Sequence, residues 1–126
     1  MKKILMIATG GTIASAEGGD GLTPAMTGEE LAASVPGIKD KCDLTVLQLM
    51  NIDSTNMRPY LWGLMRDAIT EHYNDYDGFV ILHGTDTMAY TAAALSYLIQ
   101  NSAKPIVLTG SQKPMGNPYT DAKINI

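Results

Sequence analysis

The sequence predicts a doubly wound α/β fold, with a mainly parallel sheet and helices on both faces. Short apolar runs alternate with helical stretches, the runs being Ile4–Ala8, Leu44–Met50, Gly78–Leu82 and Ile106–Leu108. Continuous apolar runs are typical of parallel strands buried on both faces, and strand-helix alternation favours right-handed crossovers. The hydroxyl-rich motifs follow these runs directly, at the strand ends where doubly wound sheets bind ligands.

The first strand leads into a glycine-rich turn. Ile4–Ala8 ends at Thr9-Gly10-Gly11-Thr12, and residues 14–25, rich in glycine and other small residues, are predicted to form a mobile loop. A helix is predicted to begin at Thr27, because Thr27-Gly28-Glu29-Glu30 has the spacing of a capping box. It is predicted to end near Pro36-Gly37.

Two longer helices are predicted between the later strands. The first extends from about Pro59, since a first helical turn tolerates proline, to Tyr73. Its apolar face comprises Leu61, Leu64, Met65, Ala68 and Ile69. The second extends from Thr85 to Gln100. Its inward face is predicted to comprise Met88, Ala92, Leu95, Leu98 and Ile99. After a loop over residues 109–118, another helix is predicted to begin at Asp121.

Length, composition and charge limit the class of protein. The 126 residues suffice for one domain with a hydrophobic core, and 45% apolar with 17% charged residues are typical of a soluble globular protein. A formal net charge of −4 without a basic cluster argues against nucleic acid or an anionic membrane as a partner. The longest apolar runs have about five residues, whereas a membrane-spanning helix needs about 20.

The cysteine content and the first residues of the sequence predict a cytoplasmic location. Cys42 is the single cysteine, so an internal disulfide is impossible and a reducing compartment fits. We expect it to be a structural thiol, because no partner base accompanies it. Residues 1–8 resemble the start of a signal peptide, because two lysines precede an apolar stretch. Their apolar stretch is nevertheless shorter than the roughly 7–15 residues required, and no small-x-small cleavage site follows.

The first candidate site is Thr9-Gly10-Gly11-Thr12-Ile13-Ala14. Its two glycines allow a tight turn and a close approach of backbone N–H groups to a ligand. A hydroxyl here could attack a carbonyl while nearby N–H groups stabilise the oxyanion. A plain turn or a phosphate cradle also explains the motif, although the adjacent glycines exclude the GxGxxG dinucleotide fingerprint.

The second candidate is His83-Gly84-Thr85-Asp86-Thr87-Met88, which opens a predicted helix. A helix N-terminus favours Asp86 by its dipole and unpaired N–H groups, with no function implied. Alternatively, the carboxylate binds a substrate ammonium group, with the Thr85 hydroxyl beside it. His83 is a candidate general base, but a histidine that ends an apolar strand is more commonly a hydrogen-bonded structural residue.

Two further polar strand ends complete the pattern. Asn51-Ile52-Asp53-Ser54-Thr55-Asn56 either caps the next helix or holds a substrate carboxylate. In the segment 109–114, Lys113 either lowers the pKa of a nucleophile or is a solvated loop residue. An amino-acid substrate needs separate partners for its ammonium, carboxylate and amide, so several such ends favour a catalytic site. No metal site is predicted, because neither His72 nor His83 has a second ligand at a recognised spacing.

Together these motifs resemble those of the bacterial-type L-asparaginases, and within that family the cytoplasmic type I branch. Residues 9–14 are similar to the first family signature, and residues 83–92, HGTDTMAYTA, to the second in its type I form. Asp53-Ser54 followed by Met57 and the segment Thr109-Gly110-Ser111-Gln112 also match. The resemblance extends from residue 4 to the end. The two signatures, about 70 residues apart, are specific in combination.

The resemblance implies an amidohydrolase that converts L-asparagine to L-aspartate and ammonia without a cofactor. Thr12 would be the nucleophile and would form a β-aspartyl ester that water then hydrolyses. Thr85 and Asp86 would form a second catalytic cluster, with Asp86 also contacting the substrate amine, while Ser54 and its neighbours would hold the α-carboxylate. The full set of predicted substrate-binding residues is Gly11, Asp53, Ser54, Thr55, Gly84, Thr85 and Asp86. A homodimer or homotetramer is implied in the same way.

Two features depart from the family pattern. Many members carry a tyrosine in the loop after the first signature, where it assists the threonine; Leu22 stands at that place here. Family chains are also over twice as long, and the lysine that completes the second cluster lies beyond Ile126. Residues 1–126 are therefore expected to be an incomplete N-terminal asparaginase domain. Thr12 then needs activation from elsewhere in a longer chain or from another subunit, and the isolated fragment is expected to have little or no activity.

Three other interpretations stay open. An amidotransferase subunit that releases ammonia to convert glutamyl-tRNA shares both signatures, but it carries an extra domain before the first, for which the position of Thr9 leaves no room. A non-catalytic α/β module could bind a small anion through Gly10–Thr12. The chain could also be an inactive fragment or pseudoenzyme. Hydrolysis of glutamine stays undetermined as well, since discrimination by one methylene is worth only about 1–3 kcal/mol.

Overall fold

A four-stranded parallel sheet forms the centre of the computed structural model, which describes residues 1–18, 21–24 and 26–126, with side-chain environments for residues 1–15 and 26–126. The sheet strands are β1 (Lys3–Gly10), β4 (Asp43–Ile52), β5 (Gly78–Leu82) and β6 (Ile106–Thr109), and their order is β4-β1-β5-β6. The predicted α/β fold is confirmed.

The strand order creates a topological switch point between β1 and β5. From β1 the chain passes to β4 on one side, and it then returns to β5 on the other side. The paired residues Ala8 and Leu82 stand side by side near the carboxyl ends of β1 and β5. In doubly wound sheets, this is the crevice in which ligands bind. The segments after Ala8 and after Leu82 therefore emerge next to each other.

Helices pack on both faces of the sheet. They are α1 (Gly28–Ala33), α2 (Ile38–Lys41), α3 (Pro59–His72), α4 (Met88–Leu98) and α5 (Ala122–Asn125), with 3₁₀ turns at Thr12–Ala14 and Ser54–Asn56. Alternate β1 side chains enter two separate cores. Met6 packs with Leu31 of α1 on one face, whereas Ile7 packs with Met65 of α3 on the other. Each of these four side chains is at most 1% exposed, which explains the uninterrupted apolar pattern of the strand.

The loop predicted for residues 14–25 is wrong at 15–18 and 21–24, whereas residues 19, 20 and 25 lie outside the described part of the chain. The described backbone forms an antiparallel hairpin of β2 (Ser15–Gly18) and β3 (Gly21–Pro24), with Ser15 paired to Pro24 and Gly18 to Gly21. The glycines that suggested mobility are also the residues that short hairpin connections favour. Leu22 belongs to β3, but its side chain lies outside the described residues.

The helix starts and faces differ from the predictions in three places: the start of α4, the inward face of α4 and one position on the apolar face of α3. The capping box of α1 is confirmed, because Thr27 N–H donates to Glu30 Oε2 over 2.7 Å and Glu30 N–H donates back to Thr27 Oγ1 over 3.3 Å. Helix α4 begins at Met88 instead of Thr85. One cause is that Thr87 Oγ1 donates to the carbonyl of Ser54 over 2.8 Å, which ties this segment to the end of β4.

The inward face of α4 is formed by Thr91 and Leu95, with Met88 and Ile99 half-buried. Ala92 and Leu98, predicted to face inward, are exposed. The polar Thr91 takes the buried position because its hydroxyl is hydrogen-bonded within the core.

In α3 the predicted face is confirmed for Leu61, Met65, Ala68 and Ile69, whereas Leu64 is 44% exposed. No helix in the described part of the chain has both the length and the apolar character to cross a membrane.

Candidate active site

A small cavity of about 150 Å³ opens at the switch point, where the segments after β1, β4 and β5 meet. It is lined by Gly11, Thr12, Ser15, Ile52, Asp53, Ser54, Gly84, Thr85 and Asp86. Three of the four polar strand ends noted in the sequence thus share one cleft, and Thr12 shares it with the Thr85–Asp86 pair. Its volume suits a small polar molecule better than a drug-sized ligand.

Glycines allow the three strand ends to approach one another closely. Gly11 has a φ of +88°, and a Cβ placed on it would lie 2.5 Å from the backbone nitrogen of Gly84. A Cβ placed on Gly84 would in turn lie 2.5 Å from Ser54 Oγ. Both positions therefore leave no room for a side chain. The close packing at these two glycines brings Thr12, Ser54 and Thr85 into one small volume.

The first glycine of the turn has a separate role against β4. Gly10 has a φ of +103°, and a Cβ there would lie 2.5 Å from the carbonyl oxygen of Ile52. Gly11 N–H donates to that same carbonyl over 3.1 Å, where the β1–β4 register shifts between Ala8 and Gly10. The adjacent glycines thus allow the end of β1 to approach the end of β4 closely, and Thr12 follows directly after them.

Thr12 begins a 3₁₀ turn and is half-buried at the cavity wall. The turn is held by the carbonyl of Gly11, which accepts from Ala14 N–H over 3.1 Å and from Ser15 Oγ over 2.8 Å. Sequence reasoning misses Ser15, because it assigns the segment to a loop. The spacing of four residues from Gly11 to Ser15, about one helical turn, is the signal that could have identified it.

The segment after β4 combines a cap with a site residue. Asp53 Oδ1 accepts from the N–H and the hydroxyl of Thr55, each over 2.9 Å, and so caps the 3₁₀ turn. Ser54 is 3% exposed and lines the cavity, whereas Thr55 lies outside the lining set. The geometry therefore brings Asp53 and Ser54 to the cleft and leaves the predicted role of Thr55 as a prediction.

Charge in the cavity is negative. Asp53 and Asp86 both line it, and no lysine or arginine belongs to the lining residues that the structure describes. Lys113, a candidate activator of the nucleophile, is exposed, with Nζ 5.8 Å from the ring centroid of Tyr119. A cationic group such as an ammonium is the complement that this cavity favours.

His83 is fully buried, and both ring nitrogens are hydrogen-bonded. Nδ1 lies 2.7 Å from the carbonyl oxygen of Gly84 and Nε2 lies 2.8 Å from Thr91 Oγ1. Burial lowers the pKa of His83 below its ordinary value of 6.5, and the hydrogen bond to Gly84 opposes this shift only in part. His83 is not among the cavity-lining residues, so the geometry favours the structural interpretation over a general base.

The lowered pKa predicts a pH-dependent stability. Below about pH 6.5 the unfolded chain binds a proton at His83 more readily than the folded chain does, so the free energy of unfolding falls as the pH falls through this region. The fall is at most about 1.4 kcal/mol per pH unit, and it should be absent in His83→Asn. Denaturant unfolding of both proteins at pH 7.5, 6.5 and 5.5 measures it. The same pH dependence of the free energy of unfolding in the native protein and in His83→Asn would contradict the prediction.

A larger groove of about 750 Å³ lies at the opposite end of the sheet. Its lining includes Met1, Ile38, Cys42 and the start of β4 from Asp43 to Val46. These residues surround the amino end of that strand, whereas ligands of doubly wound sheets bind at the carboxyl ends. The smaller cavity is therefore the candidate active site.

The fold and cleft define a doubly wound α/β protein with a hydroxyl- and carboxylate-lined site at its switch point. Comparison with known families identifies it further: the family model described as "Asparaginase, N-terminal" matches residues 3–126. The chain belongs to this family, which confirms the resemblance seen in the sequence.

Curated relatives carry two kinds of name. The chain is 41% identical to an L-asparaginase of Thermococcus kodakarensis and 42% identical to L-asparaginase 1 of Escherichia coli K12, covering 98% and 99% of this chain. It is 43% identical over its whole length to a glutamyl-tRNA(Gln) amidotransferase subunit of T. kodakarensis. The chain spans 38% of each asparaginase and 29% of the amidotransferase subunit.

Solved structures agree with the fold. The thermostable L-asparaginase of T. kodakarensis superposes with a TM-score of 0.86 at 41% identity, covering 96% of this chain and 37% of that one. A probable cytoplasmic L-asparaginase of Campylobacter jejuni gives a TM-score of 0.85 at 35% identity, covering 98% and 37%. The four-stranded parallel sheet is thus shared with asparaginases.

Proposed function

We propose that residues 1–126 form the N-terminal domain of a cytoplasmic L-asparaginase that hydrolyses L-asparagine to L-aspartate and ammonia. The observation that carries the proposal is the single cleft lined by Thr12, Ser54, Thr85 and Asp86 in a chain of the asparaginase family. An amino-acid amide has three polar groups, and the cleft offers a separate partner for each.

In the proposed reaction the Thr12 hydroxyl attacks the side-chain amide carbon of asparagine. The C–N bond then breaks, ammonia leaves with the proton given up by Thr12, and a β-aspartyl ester remains. Water hydrolyses the ester, which releases aspartate and restores the hydroxyl. Backbone N–H groups of the glycine-rich ends stabilise the oxyanion in both steps.

Substrate binding follows from charge and hydrogen bonding. The Asp86 carboxylate binds the α-ammonium group, in keeping with the negative character of the cavity. Ser54 binds the α-carboxylate through its hydroxyl, with Asp53 and Thr55 holding the 3₁₀ turn on which it stands. Gly11 and Gly84 contribute backbone contacts, because no side chain fits there.

The remaining catalytic groups are proposed to lie outside these residues. The chain spans 38% of the length of the asparaginase relatives, so a longer polypeptide or a second subunit of a homodimer or homotetramer would supply the activator of Thr12. Purified residues 1–126 are then expected to release ammonia far more slowly than the intact gene product. The intact mass of the native product shows whether it is longer than residues 1–126.

A second candidate is the activity named for the amidotransferase subunit, because identity to that relative is as high as to the asparaginases. Ammonia release by the intact gene product distinguishes the two. An asparaginase is expected to release ammonia from asparagine alone, at a rate that glutamyl-tRNA(Gln) does not change. Ammonia release that requires glutamyl-tRNA(Gln) favours the amidotransferase instead.

A further inference from the structure

A buried line of hydrogen bonds leads from α3 to the edge of the cleft. Trp62 Nε1 donates to Thr91 Oγ1 over 2.9 Å, and Thr91 Oγ1 lies 2.8 Å from His83 Nε2. His83 Nδ1 lies 2.7 Å from the carbonyl oxygen of Gly84, which belongs to the cavity lining. His83 and Thr91 are 0% exposed, so water does not compete for these bonds.

The partners fix the direction of every proton in the line. A carbonyl oxygen only accepts, so His83 Nδ1 carries the proton donated to Gly84. Nε2 of the neutral ring is then an acceptor, and the Thr91 hydroxyl donates to it. An indole nitrogen only donates, so Thr91 Oγ1 accepts a hydrogen bond from Trp62 and donates one to His83. Each hydrogen bond in the line therefore has one defined donor and one defined acceptor.

We propose that His83 is a positioning residue, oriented by the Trp62–Thr91 pair, that fixes the Gly84–Thr85 peptide and thereby the proposed second catalytic cluster against Thr12. The inference rests on the proposed function and deepens it. The peptide unit is planar, so the direction of the Gly84 carbonyl sets that of the Thr85 N–H on its other side. The backbone leading to Asp86 begins from this plane.

The surroundings leave this peptide little freedom to move elsewhere. Gly84 lies between Gly11 on one side and Ser54 on the other, at distances that exclude even a methyl group. His83 N–H donates to the carbonyl of Thr109 over 2.8 Å, which anchors the preceding backbone to β6. A rotation of the Gly84–Thr85 peptide is therefore transmitted to the segments that carry Thr12 and Ser54.

Removal of the Thr91 hydroxyl tests the positioning role in the intact gene product. Thr91→Val preserves shape but leaves Nε2 without a donor; a ring that moves its proton to Nε2 then loses the bond to Gly84. We expect kcat to fall about tenfold, with most of the loss in kcat and little in KM, as for a small misplacement of reacting groups. Trp62→Phe is expected to show a smaller loss in the same direction.

The matched control is Thr70→Val on α3, whose exposed hydroxyl donates to the carbonyl of Arg66 in its own helix. It is expected to leave kcat unchanged. His83→Asn retains an N–H donor near the position of Nδ1 and is expected to keep more activity than His83→Leu. Equal activity of these two variants would overturn the positioning role.

Nitrogen NMR of histidine-labelled protein gives a readout that does not depend on turnover. The native His83 should show a protonated Nδ1 and an unprotonated Nε2, and Thr91→Val should alter this pattern and shift the Thr85 amide signal. Thr70→Val should alter neither. An unchanged tautomer and Thr85 signal in Thr91→Val overturn the inference, whereas absence of asparagine hydrolysis by the native protein, with these signals as expected, overturns only the proposed function.

Discussion

Replacement of Thr12 by alanine is expected to abolish asparagine hydrolysis by the intact gene product while leaving substrate binding in place. Thr12 supplies the attacking oxygen in the proposed reaction, and loss of a nucleophile lowers kcat by about three orders of magnitude or more. Ser54 and Asp86, the proposed partners of the substrate carboxylate and ammonium groups, lie on other strand ends, so the substitution should not disturb them. Steady-state ammonia release gives kcat, and calorimetric titration with L-aspartate gives the binding affinity.

Thr12→Ser is the control for this experiment, because it keeps a hydroxyl at the same position and should retain measurable turnover. A Thr12→Ala protein with native kcat would exclude the threonine mechanism. A native protein that binds aspartate or another small anion but hydrolyses nothing would point to the non-catalytic binding module. The two outcomes separate the role of one residue from the function of the whole site.

Gly11→Ala is expected to be strongly destabilising. Its φ of +88° disfavours any L side chain, at about 1–2 kcal/mol, and its Cβ would lie 2.5 Å from the backbone nitrogen of Gly84. Because backbone cannot rotate away as a side chain can, we expect a loss of at least about 3 kcal/mol in the free energy of unfolding. Denaturant unfolding measures this loss, and asparagine turnover should disappear with it.

Gly63→Ala provides the matched control. Gly63 lies inside α3, and a Cβ placed there has no heavy atom within 4 Å. Alanine in a helix interior is preferred over glycine by about 0.5–1 kcal/mol, so this variant should be more stable than the native protein and equally active. If Gly11→Ala and Gly63→Ala had the same stability, the close contact of Gly11 with Gly84 would be refuted.

The strands can be predicted because their signal is local. The predicted strand Gly78–Leu82 agrees with β5 to the residue, and Ile4–Ala8 differs from β1 only by the terminal residues of the longer strand. A buried parallel strand needs an apolar residue at every position, and that pattern is visible in the chain itself. The hairpin of β2 and β3 has no such pattern, since its glycines are compatible with a loop as well as with a tight turn.

The site can be predicted in part from the sequence. The glycines of segments 9–12 and 83–88 and the hydroxyls of these and of segment 51–56 indicate polar strand ends, and the structure brings all three segments to one cavity. The contribution of Ser15 is missed because its segment is predicted to be a loop, although its spacing from Gly11 is visible in the sequence. The inward turn of Thr91 is not predictable, because it depends on partners from other elements. An amphipathic pattern assigns a threonine to the outside unless its partner is known.

By itself, the sequence determined the order of the four sheet strands and the two longer helices, the polar composition of the strand ends and the family to which the chain belongs. Only the tertiary structure decided which strand ends lie together in one cavity. The order β4-β1-β5-β6 sets Thr12 beside Thr85 and Asp86, and it leaves Lys113 in an exposed loop outside the cavity. The physical reason is the sequence separation of the interacting residues. The periodicity of burial depends on neighbouring residues, whereas strand adjacency depends on contacts between residues about 70 positions apart.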